Sequence, residues 1–258
     1  MIFPNLLAEE EAAPFSLHNL EGAGRLLILC DHAGQAVPRA LQGLGLAPPD
    51  LERHIAWDIG ARDIALRLAE RFDAPAICGT YSRLTIDLNR YPWDPASCAV
   101  ESDGTAIPAN RALSLPDRER RIAEIFRPYH DRVALEVARL AERRSDLVLI
   151  SVHSMTDRMK GGARRREEIA ICWAEDRRLS DPLLQGLTAR GDVSVGDNQP
   201  YALDIGIDYT LPEQAMRRGL PALQVEFRQD LVATSAGARH WADLFAETLE
   251  EALDALEA

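Results

Sequence analysis

The chain has 258 residues, 47% hydrophobic and 27% charged, which at about 150 residues per domain means one large or two small domains with a full core. Its 29 basic and 41 acidic residues leave a formal charge of −12, which argues against nucleic acid or an anionic membrane surface as partner, since both attract cations. Apolar runs such as Leu26-Leu27-Ile28-Leu29-Cys30 fall far short of the roughly 20 residues that cross a bilayer, and Met1-Ile2-Phe3-Pro4 runs into Glu9-Glu10-Glu11 with no basic leader, so a cytoplasmic address is expected.

Short runs rich in Val, Ile and Leu alternate with amphipathic stretches, the pattern of strands covered by helices, so the expected class is α/β with a mostly parallel mixed sheet. In chain order, a strand is predicted at 26–30 and a helix at 49–72, with Ile55, Ile59 and Leu66 on one face. Strands follow at 75–80 and 84–88, and then a proline-containing loop at 91–116. Ile122, Ile125, Tyr129, Val133, Val137 and Leu140 mark a helix that Pro128 should kink or break near Arg127, because proline lacks an N–H and clashes with the preceding turn. A strand at 147–153, a loop at 156–167 with Gly161-Gly162, and strands at 168–173 and 222–227 come next. Trp241, Phe245 and Leu249 stripe a last helix at 235–258, with Ser235 as its N-cap. The chain shows no repeat and no linker, so a single domain over 1–258 is expected. Cys30, Cys78, Cys98 and Cys172 form no C-x-x-C pair and should be buried, reduced thiols. Long loops in compact domains tend to wall binding sites, which singles out 91–116 and 156–167.

Three predicted strands end in residues able to do chemistry: Cys30-Asp31-His32, Ser151-Val152-His153 and Gln224-Val225-Glu226. Ligands of open α/β sheets collect outside the carboxyl ends of strands, so two imidazoles and a carboxylate could converge there despite their separation in sequence. Such a set suits zinc, which takes three protein ligands in catalytic sites and activates a water in the fourth position, with Glu226 placed to accept the water's proton. Either histidine alone could be an ordinary hydrogen-bonded core residue, and Glu226 could simply pair with Arg228. His18, His54, His130 and His240 read as incidental. In Tyr81 to Arg90, Arg83, Thr85, Asp87 and Asn89 alternate with apolar residues. This suggests a strand whose polar face binds an acidic ligand through Arg83 and Arg90, oriented by Asp87 and Asn89, or else a solvated edge strand. Arg164-Arg165-Arg166 reads as a solvated run. Nucleotide, dinucleotide, serine-hydrolase and H-E-x-x-H signatures are absent, and Ser154 beside His153 would point to the opposite strand face.

The segments Cys30-Asp31-His32-Ala33-Gly34, His54-Ile55-Ala56-Trp57-Asp58-Ile59-Gly60, Tyr81-Ser82-Arg83 with Asp87-Leu88-Asn89-Arg90, and Ser102-Asp103-Gly104-Thr105 with Ile107-Pro108 recur in a known order. Val152-His153-Ser154, Gly196-Asp197-Asn198 with Pro200-Tyr201, Asp208-Tyr209-Thr210 and Val225-Glu226-Phe227-Arg228-Gln229-Asp230 continue it. Together, from Leu26 to Asp230, they resemble the N-formylglutamate amidohydrolase family. The resemblance implies a phosphorylase/hydrolase-like, zinc-exopeptidase-like fold and hydrolysis of an N-formyl amide to formate and an amino acid, glutamate in histidine breakdown. It implies His32 and His153 at a zinc ion, with Asp31 and Asp58 as further candidates, Glu226 as general base, and Arg83, Asn89 and Arg90 at the carboxylates of a small acidic N-acyl amino acid, to which Asp87 and Arg228 are added as binding candidates. Related zinc exopeptidases carry His-x-x-Glu, whereas His32-Ala33-Gly34-Gln35 offers an amide, which leaves the third ligand open. Gln214 likewise stands in a stretch where the family often has histidine. The alternatives are a carboxypeptidase-like or other N-acyl amino acid hydrolase, and a binding protein for an acidic ligand that does no chemistry.

Overall fold

Nine strands form in the computed structural model, which describes residues 5–256: β1 (Phe15–His18), β2 (Leu26–Cys30), β3 (Ala76–Gly79), β4 (Glu101–Ser102), β5 (Thr105–Ala106), β6 (Val148–Met155), β7 (Ile169–Cys172), β8 (Val195–Asp197) and β9 (Ala222–Arg228). β4 and β5 make a small hairpin, and the other seven form one sheet in the order β1-β3-β2-β6-β9-β7-β8. β3, β2, β6 and β9 are parallel, β1 runs against β3 and β7 against β9, and β8 runs with β7. The result is one α/β domain with a mostly parallel mixed sheet flanked by helices, as the patterning predicts. Met1-Ile2-Phe3-Pro4 and the predicted helix end at 257–258 lie outside the described residues.

Alternation along the central strands sorts their side chains onto two faces. Ile28, Ile150 and Val225 join the cluster under helices Ala61–Arg71, Ser180–Arg190 and Ser235–Ala255. Leu29, Leu149 and Ala222 pack on the opposite face, against Ile125, Tyr129, Val133 and Val137 of the long helical segment. On this second face each row changes character toward the carboxyl end of its strand. Leu27 and Leu29 give way to Asp31, Leu149 to Ser151 and His153, and Ala222 to Gln224 and Glu226. A buried leucine contributes roughly 1.5–3 kcal/mol, so polar groups at these positions forgo stability and need partners of their own. All four cysteines are free and buried.

The structure corrects several local expectations. Residues 84–88 form turns and no strand: β3 is already paired on both edges, by β1 and β2, so no sheet edge is left for them. Their backbone is satisfied from elsewhere, by Asn110 Nδ2 donating to Leu84 O and Arg121 Nη1 to Thr85 O. The predicted helix at 49–72 is two helices, Pro48–Leu51 and Ala61–Arg71, separated by turns that carry His54 to Asp58. Near Arg127 the helix neither breaks nor stops. Its turn widens to a π-helix over Ile122–Phe126, with Arg127 N donating to Ile122 O, and Pro128 sits at the start of Arg127–Arg143. The last helix is capped by Thr234, whose side chain accepts from Gly237 N at 3.1 Å, and not by Ser235. β1, β8 and the hairpin are short and half-exposed, and carry too little apolar alternation to announce themselves.

Candidate active site

Parallel pairing brings the carboxyl ends of β2, β6 and β9 together, and in the β6–β9 register His153 stands opposite Glu226. β2 hands over directly to Asp31 and His32. Asp58 arrives from the turns before Ala61–Arg71, where Gly60 has φ 82° and a Cβ would lie 2.2 Å from Val232 O, so only glycine permits this path. The turn is pinned to the end of β2 by Asp58 N donating to His32 O at 2.9 Å.

His32, Asp58 and His153 are buried, and one donor atom of each lies within 4.8 Å of the others. Asp58 Oδ2 is 2.9 Å from His153 Nδ1 and 3.4 Å from His32 Nδ1. The far nitrogens are held from behind. His32 Nε2 donates to Asp87 Oδ1 at 2.7 Å, while His153 Nε2 is 2.9 Å from Ser151 Oγ and 3.6 Å from Asp31 Oδ2. Asp31 Oδ1 in turn accepts from the Tyr129 hydroxyl at 2.7 Å. Carboxylates behind imidazoles fix tautomer and ring orientation for metal binding. His32 Nδ1 is buried without a hydrogen bond, an orphan that a cation at the cluster would satisfy. Two imidazoles and one carboxylate therefore fit a divalent ion such as zinc.

Burial alone would lower both histidines' pKa values. Asp31 and Asp58 nevertheless hold His153 well above its ordinary value, and Asp87 and Asp58 raise His32 against the Arg83 charge. Asp58 and Asp87, although burial pushes them up, are held below the usual carboxylate range by His32, His153 and Arg83 between them. Glu226 moves the other way: burial, reinforced by Asp58, raises it to about 7. Two carboxyl groups in one cleft are thus driven apart, one firmly ionised and one poised to exchange a proton near neutrality.

These groups floor a cleft of about 600 Å³, whose walls include Arg83, Leu84, Arg90, Met159, Tyr201 and Ile207. Arg83 donates to Asp58 Oδ1 through Nη1 and to Asp87 Oδ2 through Nε and Nη2. Arg90 Nη1 donates to Asp208 Oδ1 at 2.6 Å and to Asn89 O at 2.8 Å. Asn89 is committed to the 208–210 turn, with Nδ2 donating to Asp208 and Oδ1 accepting from Tyr209 N and Thr210 N.

The N-formylglutamate amidohydrolase family model matches residues 24–233. The chain belongs to that family. It is 33% identical, at a TM-score of 0.94, to the gene product Atu2144 from Agrobacterium tumefaciens, with 98% of this chain and 100% of that one covered. It shares the fold of the N-formylglutamate amidohydrolase from Ralstonia eutropha JMP134, at a TM-score of 0.65 and 22% identity over 94% and 96% of the two chains. No curated protein matches the sequence.

In this member of the family the structure gathers His32, His153, Asp58, Glu226, Arg83, Asp87, Asn89 and Arg90 around one cleft. Asp31 stands behind His153 and Asp87 behind His32, so neither is placed among the three clustered donors. Gln35 is exposed and outside the cluster, and the third clustered side chain is Asp58. Arg228 is not on the cleft wall: its Nε donates to Asp230 and its Nη1 to the carbonyls of Arg165 and Arg166. It does not pair with Glu226, whose Oε1 accepts from Gln224 Nε2 at 3.0 Å instead. His54, expected to be incidental, lines the cleft, while His130 is buried in the core with Nε2 donating to Leu88 O. The loops around 96–102 and 156–159 do form walls. Sequence reasoning missed Ser151, Gln224 and Tyr129, and the wall residues Ala202, Asp204 and Ile207 between two motifs it quotes. The two strand residues were findable, since both precede a candidate by two positions and so share its face.

Proposed function

We propose that the protein is a metal-dependent hydrolase of the amide bond in a small N-formyl or N-acyl amino acid, with N-formyl-L-glutamate the first substrate to test and zinc the expected metal. The observation that carries this reading is the buried His32–Asp58–His153 cluster, with Glu226 opposite His153 in the same cleft. A divalent ion held there supplies Lewis acidity for the amide carbonyl and the attacking water. Glu226 accepts the water's proton on its carboxylate and returns it to the leaving amine nitrogen, a task suited to a carboxyl group whose burial raises it to about 7. Gln224 holds Glu226 Oε1 in place. Asp87 and Asp31 keep the imidazoles oriented, and Arg90, held only through Nη1, offers its remaining donors to the substrate carboxylate. Family membership supports the amide class of bond, and a place in cytoplasmic histidine breakdown follows only if formylglutamate is the substrate in the cell.

The test is formate release from N-formyl-L-glutamate and from other N-formyl amino acids by metal-stripped protein, with and without added zinc. Zinc-dependent release is the expected result. Absence of release from every substrate in both samples refutes N-formyl hydrolysis and leaves another N-acyl amino acid as the next substrate to test, and a binding protein after that.

A further inference from the structure

Once the amide-hydrolase reading above is granted, each carboxylate of the substrate needs a cation. The α-carboxylate hangs on the carbon that bears the scissile nitrogen, so it stays beside the cluster, where Arg83 and Arg90 pair with Asp58, Asp87 and Asp208. A carboxylate at the end of a glutamate side chain lies two methylenes further out, toward the mouth of the cleft.

The loop after β6 carries a cation to that mouth. It leaves the sheet at Met155, two residues after His153, puts Thr156 and Met159 on the cleft wall, and closes on itself where Arg165 N donates to Asp157 O at 2.8 Å. Arg228 Nη1 fastens the returning segment through the carbonyls of Arg165 and Arg166. The Arg165 side chain then reaches back to the wall. Nη1 donates to Thr156 O at 2.8 Å, Nη2 donates to the Tyr201 hydroxyl, and the guanidinium carbon lies 4.7 Å from the centre of the Tyr201 ring. Thr156 and Tyr201 both line the cleft.

The acids at the foot of this loop are taken by its neighbours: Arg164 pairs with Asp157 and Asp230, and Arg228 with Asp230 and Glu168. Half-buried Arg165 is left with two neutral partners, a carbonyl and a hydroxyl, and only two of its five N–H groups are engaged. Tyr201 is 41% exposed, and its hydroxyl accepts from Arg165 while keeping its own proton to donate. A guanidinium stacked on an aromatic ring is held in place before a ligand arrives, so less order is lost on binding. The Arg165 charge also reaches into the cleft. His54 on the wall has its pKa lowered by burial, and Arg53, Arg83 and Arg165 all push the same way against Asp103.

We propose that Arg165 and Tyr201 together form an outer anion subsite at the mouth of the cleft and set a preference for an acidic side chain. The side-chain carboxylate of N-formyl-L-glutamate accepts from the Tyr201 hydroxyl and from the unengaged N–H groups of Arg165, while the inner arginines hold the α-carboxylate. A neutral side chain of the same shape leaves the Arg165 charge unmatched, which is what separates the two.

The experiment compares kcat/KM for N-formyl-L-glutamate and N-formyl-L-glutamine on the zinc-loaded full chain, and repeats it on Arg165→Gln and on Tyr201→Phe. The parent should favour the glutamate substrate by at least about ten-fold, the scale of a hydrogen bond to a charged group. Arg165→Gln should bring the ratio close to one through a raised KM for the glutamate substrate, and Tyr201→Phe, which keeps the ring and removes the hydroxyl, should lower it by less. A ratio of two substrates on one sample does not depend on how much of the variant is folded, and a merely structural role for Arg165 would leave it unmoved. No preference in the parent, or a ratio unchanged in Arg165→Gln, overturns the subsite and leaves the hydrolase reading standing. Formate from neither substrate overturns the subsite together with N-formyl hydrolysis.

Discussion

At the inner end of the cleft, His32, His153 and Glu226 ride on or directly follow paired strands, and each is held by a second buried group: Asp87, Ser151 and Gln224. At the outer end, Met159, Tyr201 and Ile207 come from irregular segments and are half-exposed. The contrast separates two tasks. Groups that must meet an ion or a proton within a few tenths of an ångström are built where the backbone is paired on both sides and the side chains cannot re-aim. Groups that only need to present a surface sit on loops, where a change of residue alters what is accepted without disturbing the chemistry.

The strongest way to break this division is Glu226→Gln, which keeps the shape and removes the base. Turnover should fall by roughly 10²–10⁴-fold, while N-formyl-L-glutamate still binds, as titration calorimetry would register. Parental turnover in this variant would remove Glu226 from the chemistry.

Next in size is a stability effect behind the same wall. His130 is buried between Phe126 and Tyr209, with Nε2 donating to Leu88 O and Nδ1 unpartnered, so it is held neutral and burial lowers its pKa to about 4. Above pH 6.5 it is neutral folded and unfolded, and its contribution is complete. As the pH falls from about 6.5 toward 4 the unfolded chain takes up the proton first, and stability drops by about 3 kcal/mol across that window. Urea midpoints against pH should show this slope in the parent and lose it in His130→Gln. An unchanged slope in the variant would assign it to other groups.

The smallest effect tests the support behind the cluster. Asp87→Asn leaves His32 in place but replaces the carboxylate behind it with a neutral amide, and zinc affinity should fall roughly 10–100-fold, as measured by competition with a chelator, with activity largely recovered at saturating zinc. Unchanged affinity would make Asp87 a partner of Arg83 alone.

Residues 26–30 and 222–227 were legible as strands because buried parallel strands read as continuous apolar runs, and the same runs placed His32, His153 and Glu226 at their ends. Residues 84–88 mislead because alternation of polar and apolar side chains imitates a pleat, whereas the segment turns back on itself, and Asp87 with the flanking Arg83 and Asn89 bonds inward to His32, Asp58 and Asp208. Asp58 could be named from its motif but not placed. Its position depends on Gly60 turning against Val232 and on a backbone bond to His32, both long-range in sequence. Arg228 failed for a similar reason: it shares a strand face with Glu226, yet the strand carries it past the cleft to Asp230.

By itself, then, the sequence determined the α/β class, the central strands and the chemical types at their ends, because burial and side-chain periodicity are local and leave their mark residue by residue. Only the tertiary structure decided the third member of the buried cluster, the residues standing behind the histidines, and the cleft in which Arg83 and Arg90 pair with aspartates, because these depend on which distant segments the sheet order brings within a few ångströms of one another.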